Sequence, residues 1–239
     1  LLFIIYYLLF IIYKNKTIEV DTMKLYGFSA SNYYNAVKHL LLAKGINFEE
    51  VKVYPNQTEE YLKIHPMGKV PALETSEGII TETDVLMRYI DRQGDESFFP
   101  SDDFKRARCE EIMKIAEIYI ELPARRLSGE VLLGLPRCES AFKETRPLMQ
   151  KGLKALDNLC SCDPYLMGDK MTAADILLRY VLVVAKMNAS KVYAWRLLAD
   201  YPKLKAWEAN MAKDEISKKV DADAKAALPE LMAHFNSKK

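Results

Sequence analysis

The sequence predicts a small α/β domain followed by a larger all-α domain. Three observations predict it. Between residues 23 and 93, short runs of strand length alternate with segments of helical period. A turn-rich stretch, GDESFFPS (94–101), then interrupts the pattern. After it, over 102–239, the apolar residues recur only at helical spacing. The chain has 239 residues, half of them hydrophobic, which is enough for one full core or two small ones.

The first 22 residues stand apart. LLFIIYYLLFIIY (1–13) is an unbroken apolar run followed by Lys14, Asn15 and Lys16. It is too short to span a bilayer comfortably. It resembles a signal-peptide core, but no basic segment precedes it and no small-x-small site follows. The first methionine, Met23, directly precedes the first strand pattern. Residues 1–22 are therefore read as an apolar leader extraneous to the fold, in preference to a membrane anchor.

From Met23 the elements follow in order. KLYGF (24–28) reads as a strand. YYNAVKHLLLAK (33–44) is helical, with Tyr33, Val37, Leu40 and Leu41 on its apolar face and Gly45 as its stop. Residues 48–54 alternate as a strand does, and 57–65 form a short helix after Pro55-Asn56. Residues 70–74 and 78–81 are two strands around a hairpin-sized turn, Thr75-Ser76-Glu77. Residues 82–92 are helical. A βαβ unit followed by a hairpin and a helix gives a small mixed sheet with helices packed on it. Beyond the linker, helices are expected over 102–128, 138–159, 172–187, 201–212 and 228–235. The breaks are Gly134-Leu135-Pro136, Asp163-Pro164 and Tyr201-Pro202, and Pro229 falls in a first turn, where proline is tolerated.

Charge and cysteine usage narrow the function. There are 34 Lys and Arg against 33 Asp and Glu, a net charge of +1. That balance gives no footprint for nucleic acid or for stable association with an anionic membrane. Cys109, Cys138, Cys160 and Cys162 include no CxxC pair. Cys160-Ser161-Cys162 lacks a second ligand cluster, and His39, His65 and His234 are scattered. Neither a metal site nor a disulfide framework is expected, and the thiols read as reduced.

The chemistry concentrates in HPMGKVPALETSEGIITETDVLMRYI (65–90). Proline has no N–H for a sheet ladder, so Val70-Pro71 ahead of a strand makes sense as a cis bond. That leaves the backbone of Val70 for something other than the sheet, and an extended peptide ligand is a natural partner. Thr81 and Asp84 have capping-box spacing, as do Thr172 and Asp175. The second pair is read as a cap only. The first carries a functional reading too: a helix N-terminus binds a carboxylate, and Glu82 beside it offers a partner for an ammonium.

These residues resemble the cytosolic glutathione transferases. HPMGKVPALE and TETDVLMRYI are similar to that family's glutathione-binding segments. KLYGFSASNYYNAVKHLLLAKGINFEEVKV resembles its first strand, active-site loop and first helix. YLMGDKMTAADILL and YPKLKAW resemble motifs of its helical domain. The match runs from Met23 to about Ala212. His65 departs from it, standing where the family usually has Asn. The resemblance implies a thioredoxin-like α+β domain at 23–93, a linker at 94–101 and an all-α bundle at 102–239.

It also implies a cytoplasmic homodimeric enzyme that binds reduced glutathione as co-substrate. The enzyme stabilises the glutathione thiolate for attack on a small hydrophobic electrophile, with no metal. Lys69, Val70, Pro71, Glu82 and Thr83 then bind glutathione. Serine-type members are matched by Ser31 at the mouth of the first helix, and bacterial members are similar. Ser29, Asn32, Tyr33 and Tyr26 stay open as alternatives; Tyr26 is one residue from the tyrosine-type register, which Gly27 occupies. Each hydroxyl also has a plainer role as cap or core. The electrophile pocket is expected from the 112–127 region, with Tyr119 and Arg125 or Arg126 as candidates. The other functional class is a non-catalytic module, since the same fold serves as a binding domain in the elongation factor gamma subunit and in lens crystallins.

Overall fold

A computed structural model of the chain describes residues 22–236. The expected leader lies outside the described residues, apart from Thr22. Strand β1 (Met23–Gly27) leads to helix α1 (Asn32–Ala43) and returns through β2 (Phe48–Lys52), parallel to β1 with Met23 opposite Phe48. A short helix α2 (Glu59–Leu62) precedes the hairpin β3 (Ala72–Thr75) and β4 (Gly78–Thr81). Strand β3 runs antiparallel to β1, and the sheet order is β2-β1-β3-β4. Helix α3 (Thr83–Asp91) closes this thioredoxin-like layer. Leu25 and Leu73 on the sheet, Val37, Leu40 and Leu41 on α1, and Leu86, Met87 and Ile90 on α3 are fully buried together. Each such side chain stabilises the fold by about 1.5–3 kcal/mol.

The helical part comprises α4 (Asp103–Ile115), a π-helical segment (Ala116–Glu121), α5 (Leu122–Arg125), α6 (Ser128–Leu133), α7 (Glu139–Leu159), α8 (Ala173–Tyr193), α9 (Pro202–Met211) and α10 (Glu215–Asn236). Helix α8 is apolar almost all round and sits at the centre, as such helices do. Its start is held by Asp175, whose carboxylate accepts from the Thr172 N–H at 2.8 Å and the Thr172 hydroxyl at 2.7 Å. The same carboxylate accepts from the Leu166 N–H at 2.8 Å and from Trp207 Nε1 at 2.7 Å. The 94–101 stretch is a packed joint: Phe98 and Phe99 are buried, and Phe98 O accepts from the Ala173 N–H at 2.8 Å.

Four expectations need correction. The helix expected over 102–128 is not continuous: α4 passes through the π segment into α5, and α6 follows separately. Helix α8 continues six residues past 187 because Ala189 and Val192 still face the core. The last helix begins at Glu215, so Pro229 lies inside it and not in its first turn. The reason is that α10 docks through charges more than through an apolar stripe. Lys38 on α1, 2% exposed, donates to Asp223 at 2.9 Å and to Glu50 at 2.8 Å. Arg179 pairs with Asp221 and Lys52 with Glu230, and His234 stacks on Tyr54 with ring centroids 4.0 Å apart. Finally, Thr81 and Asp84 do not form a capping box. Thr81 stays in β4 opposite Ala72, while Asp84 pairs with Lys114 at 2.8 Å. The cap of α3 is Glu82.

Candidate functional site

Tyr26 lies opposite Ala72, and Ala72 opposite Thr81. At this end of the sheet β1 leaves, β3 enters and β4 leaves. Strand β1 runs into the N-terminus of α1, held close by a turn in which Ser31 N–H donates to Phe28 O at 2.9 Å. Strand β4 runs directly into the N-terminus of α3. Two helix N-termini and the Val70–Pro71 peptide thus share one sheet end. Adjacent strands are about 4.8 Å apart, so the row spans about 10 Å, roughly the length of an extended tripeptide.

The Val70–Pro71 bond is cis, and the sheet register begins only at Ala72, leaving Val70 outside both ladders. The approach to it is braced. Tyr61 donates its hydroxyl proton to Lys69 O at 2.7 Å, and Gln57 donates to Met67 O at 3.2 Å. Gly68 has φ 61, and a Cβ there would lie 2.3 Å from Asn56 O, so glycine is required. His65 is buried, and its Nδ1 accepts from the Met67 N–H at 3.2 Å, doing the work of a short Asn side chain in a turn. Burial moves its pKa down. The Lys69 side chain is exposed.

Glu82 has φ 71 and ψ 118 and makes no side-chain cap bond. A residue with a Cβ rarely adopts this conformation, and such outliers cluster at ligand sites. Its side chain is exposed, and Thr83 is buried behind it. The first N–H groups of α3 therefore lack a side-chain acceptor at the positive end of the helix.

The candidate hydroxyls fall in different places. Tyr26 donates to Glu74 across the sheet, which pushes its own pKa up to about 12. Gly27, at φ 155, lies under the Tyr34 ring; a Cβ would come within 2.3 Å of it, so no tyrosine fits that register. Ser29 lines a cavity of about 230 Å³ with Phe28, Lys52 and Tyr54, closed by Ala227 of α10. Asn32 turns to the helical domain, donating to Glu121 at 3.1 Å and accepting from Arg125 at 2.8 Å. Tyr33 lies under Arg125, its hydroxyl buried without a hydrogen-bond partner. Burial, then the charges of Glu121 and Glu117, pushes its pKa far up. Ser31 caps α1, and its Oγ accepts from the Tyr34 N–H at 3.4 Å. A hydroxyl that accepts still has its own proton to donate.

Glu121 was not foreseen. It is fully buried on the π segment and held by Arg125 and Asn32. The Glu-x-x-x-Arg spacing is visible in the sequence, but its inward direction is not. π-helical turns recur at functional sites, and this one sits against the mouth of α1. The Tyr119 Cβ lies against α7, 2.9 Å from where a Cβ at Gly152 would stand, while the residue as a whole is exposed. Arg126 pairs with Glu144 on α7. Among the described residues, no cluster of three or more His, Cys, Asp and Glu could hold a metal ion, and no helix is long and apolar enough to cross a membrane.

Residues 25–98 match the family model of the glutathione S-transferase N-terminal domain, and 112–215 match that of the C-terminal domain. A glutathione S-transferase of Pseudomonas putida is 38% identical over 219 residues, covering 91% of this chain and 99% of that one. A probable elongation factor 1-gamma of Arabidopsis thaliana is 27% identical over 80% of this chain, which spans only 47% of that protein. A solved Drosophila mojavensis glutathione transferase homolog with bound glutathione superposes with a TM-score of 0.70 at 24% identity, covering 91% and 98% of the two chains. With both domain models matched in chain order and a 38% identical relative aligned almost end to end, the chain belongs to the glutathione S-transferase family.

Proposed function

We propose that the chain is a cytoplasmic detoxifying transferase that binds reduced glutathione across the sheet end and holds its sulfur as a thiolate for attack on a small hydrophobic electrophile. The observation that carries this reading is the meeting of two helix N-termini with the ladder-free Val70 backbone. In it, Val70 ahead of Pro71 pairs with the cysteinyl backbone. Glu82 receives the γ-glutamyl ammonium, Thr83 and the α3 N-terminus receive its carboxylate, and Lys69 approaches the ligand's acidic side. Ser31 donates to the sulfur. The electrophile sits by the π segment, where Ile118 and Leu122 are exposed.

A free thiol has a pKa of about 8.5. Lowering it by one unit raises the thiolate fraction about tenfold at neutral pH, worth about 1.4 kcal/mol. One charge-assisted hydrogen bond supplies about that much. Ser31 fits better than Tyr33, whose neighbours Glu121 and Glu117 are anionic and oppose a second negative charge. Ser31→Ala should raise the pKa of the bound thiol by about one unit and lower conjugation at pH 7 about tenfold. Glutathione affinity should barely change, and the defect should shrink as pH rises. Thiolate absorbance titrated against pH in both proteins measures this. Coincident curves would reduce Ser31 to a cap and move the role to Ser29 or Tyr33.

The likeness to elongation factor 1-gamma favours a second reading, a glutathione-transferase-like interaction module without turnover. A panel of a chloro-nitrobenzene, an organic peroxide, a hydroxyethyl disulfide and an isothiocyanate separates the two. Turnover of any of them supports the enzyme. Retention on immobilised glutathione with no turnover supports the module.

The chain is also proposed to act as a homodimer. Met67, Ile79 and Val85 on the α/β domain and Phe104 on α4 are exposed large apolar side chains, and Phe104 is 72% exposed. Light scattering on the chain from Met23 onward should give twice the monomer mass. A stable monomer would overturn this.

A further inference from the structure

The connection between α7 and α8 carries a feature that glutathione binding does not use. Helix α7 ends at Leu159, and Cys160-Ser161-Cys162 follows. Cys160 is 3% exposed and Cys162 8%, whereas Ser161, Asp163 and Pro164 are exposed. Both thiols are free. Two residues of chain span at most about 7 Å, near the upper end of the Cα separation that a disulfide accepts. Cys160 is extended, with φ −98 and ψ 136. Cys162 has φ 58, a left-handed conformation uncommon for a residue with a Cβ. Such outliers concentrate at functional positions.

The neighbourhood distinguishes the two sulfurs. Cys162 is the more accessible of the two; the neighbouring Cys162 and then burial raise the Cys160 pKa, while the adjoining Cys160 thiol lowers that of Cys162. Lys203 adds positive charge on the same side, its Nζ donating to Cys160 O at 3.2 Å. A low-pKa thiol beside a second thiol is the arrangement of a redox-responsive pair. Cys138 is the internal contrast: it is exposed, has a lowered pKa and has no neighbouring thiol within its helix start.

We propose that Cys160 and Cys162 form a reversible dithiol–disulfide couple, oxidised by small hydroperoxides and reduced by low-molecular-weight thiols. The slight exposure of Cys162 admits a small oxidant better than a bulky one. The Cys162 thiolate attacks one peroxide oxygen, the O–O bond breaks, and the departing alkoxide or hydroxide takes a proton from solvent. Cys162 is then a sulfenic acid. Cys160, giving up its proton, attacks Cys162 Sγ; the S–O bond breaks, hydroxide leaves and is protonated to water, and the S–S bond forms. Two thiols lose two electrons, and one hydroperoxide becomes an alcohol and water. Two thiol molecules reverse the oxidation and leave as their own disulfide.

The test uses the full chain, one equivalent of hydrogen peroxide, alkylation in denaturant and tryptic mapping. The peptide 155–170 should lose two hydrogens and take up no alkylating agent, and dithiothreitol should restore both sites. Cys109 should remain alkylated. In Cys160→Ser, dimedone should label Cys162. In Cys162→Ser, oxidation of Cys160 should slow at least about tenfold, as expected for loss of the reactive thiolate. A wild-type peptide 155–170 still alkylated at both cysteines after Cys138 has been oxidised would overturn the proposal. So would oxidation of Cys160 in Cys162→Ser at the wild-type rate. The wild-type mapping stands even if either variant fails to fold.

Discussion

Asp175→Ala should destabilise the fold by about 3–5 kcal/mol, the range for removing one partner of a buried charged network. The Asp175 carboxylate is fully buried and accepts from the Leu166 and Thr172 N–H groups, the Thr172 hydroxyl and the Trp207 indole. Alanine leaves all four donors dry and unmatched, at about 1–3 kcal/mol for each one that cannot find water. It also disconnects α9 from the start of α8, because Trp207 reaches across to the same carboxylate. Thr172→Ala, which removes one hydroxyl, should cost about 1 kcal/mol. Urea unfolding decides: the midpoint should fall from wild type to Thr172→Ala to Asp175→Ala, with the slope unchanged. A loss below about 1 kcal/mol in Asp175→Ala would mean that water replaces the carboxylate and the network is not structural.

Glu82→Ala should weaken glutathione binding by about 1.5–3 kcal/mol, roughly 10- to 150-fold, as expected when a charged hydrogen bond is lost. Stability should change little, since the side chain is exposed and caps nothing. The backbone at φ 71 is as unfavourable for alanine as for glutamate, so this substitution isolates the carboxylate. Glu82→Gly removes the carboxylate and relieves the backbone. It should bind as weakly as the alanine variant while gaining up to about 1 kcal/mol of stability. Calorimetry gives affinity and thermal melts give stability. Wild-type affinity in Glu82→Ala would leave the position as a strained turn with no role in binding.

Much of the fold was legible because short local patterns specify it. Val70-Pro71 announces a break in the ladder by chemistry that acts on a single peptide bond. Thr172 and Asp175 announce a cap because both lie within one turn of each other. The same spacing at Thr81 and Asp84 misled, because the positive φ at Glu82 moves the cap by one residue and Lys114, from another helix, takes Asp84. Glu121 was missed for a related reason. Its partners Asn32 and Arg125 lie on both sides of it in sequence, and only the packing of α1 on the π segment brings Asn32 within reach. Only 228–235 of helix α10 (Glu215–Asn236) is legible in the sequence, because alanines and lysines give no clear apolar stripe. What holds it is charge on α1, α8 and β2.

The docking of α10 has a consequence for the order in which the molecule is made. Lys38 is buried on the first helix, yet one of its two carboxylate partners, Asp223, is synthesised 185 residues later. Until then Glu50 alone faces the ammonium. The Tyr54 ring likewise waits for His234, and the cavity beside Ser29 waits for Ala227. The α/β layer therefore leaves the ribosome with its sheet complete but with a buried cation half-compensated and an apolar flank uncovered. It reaches its final state only when α10 emerges.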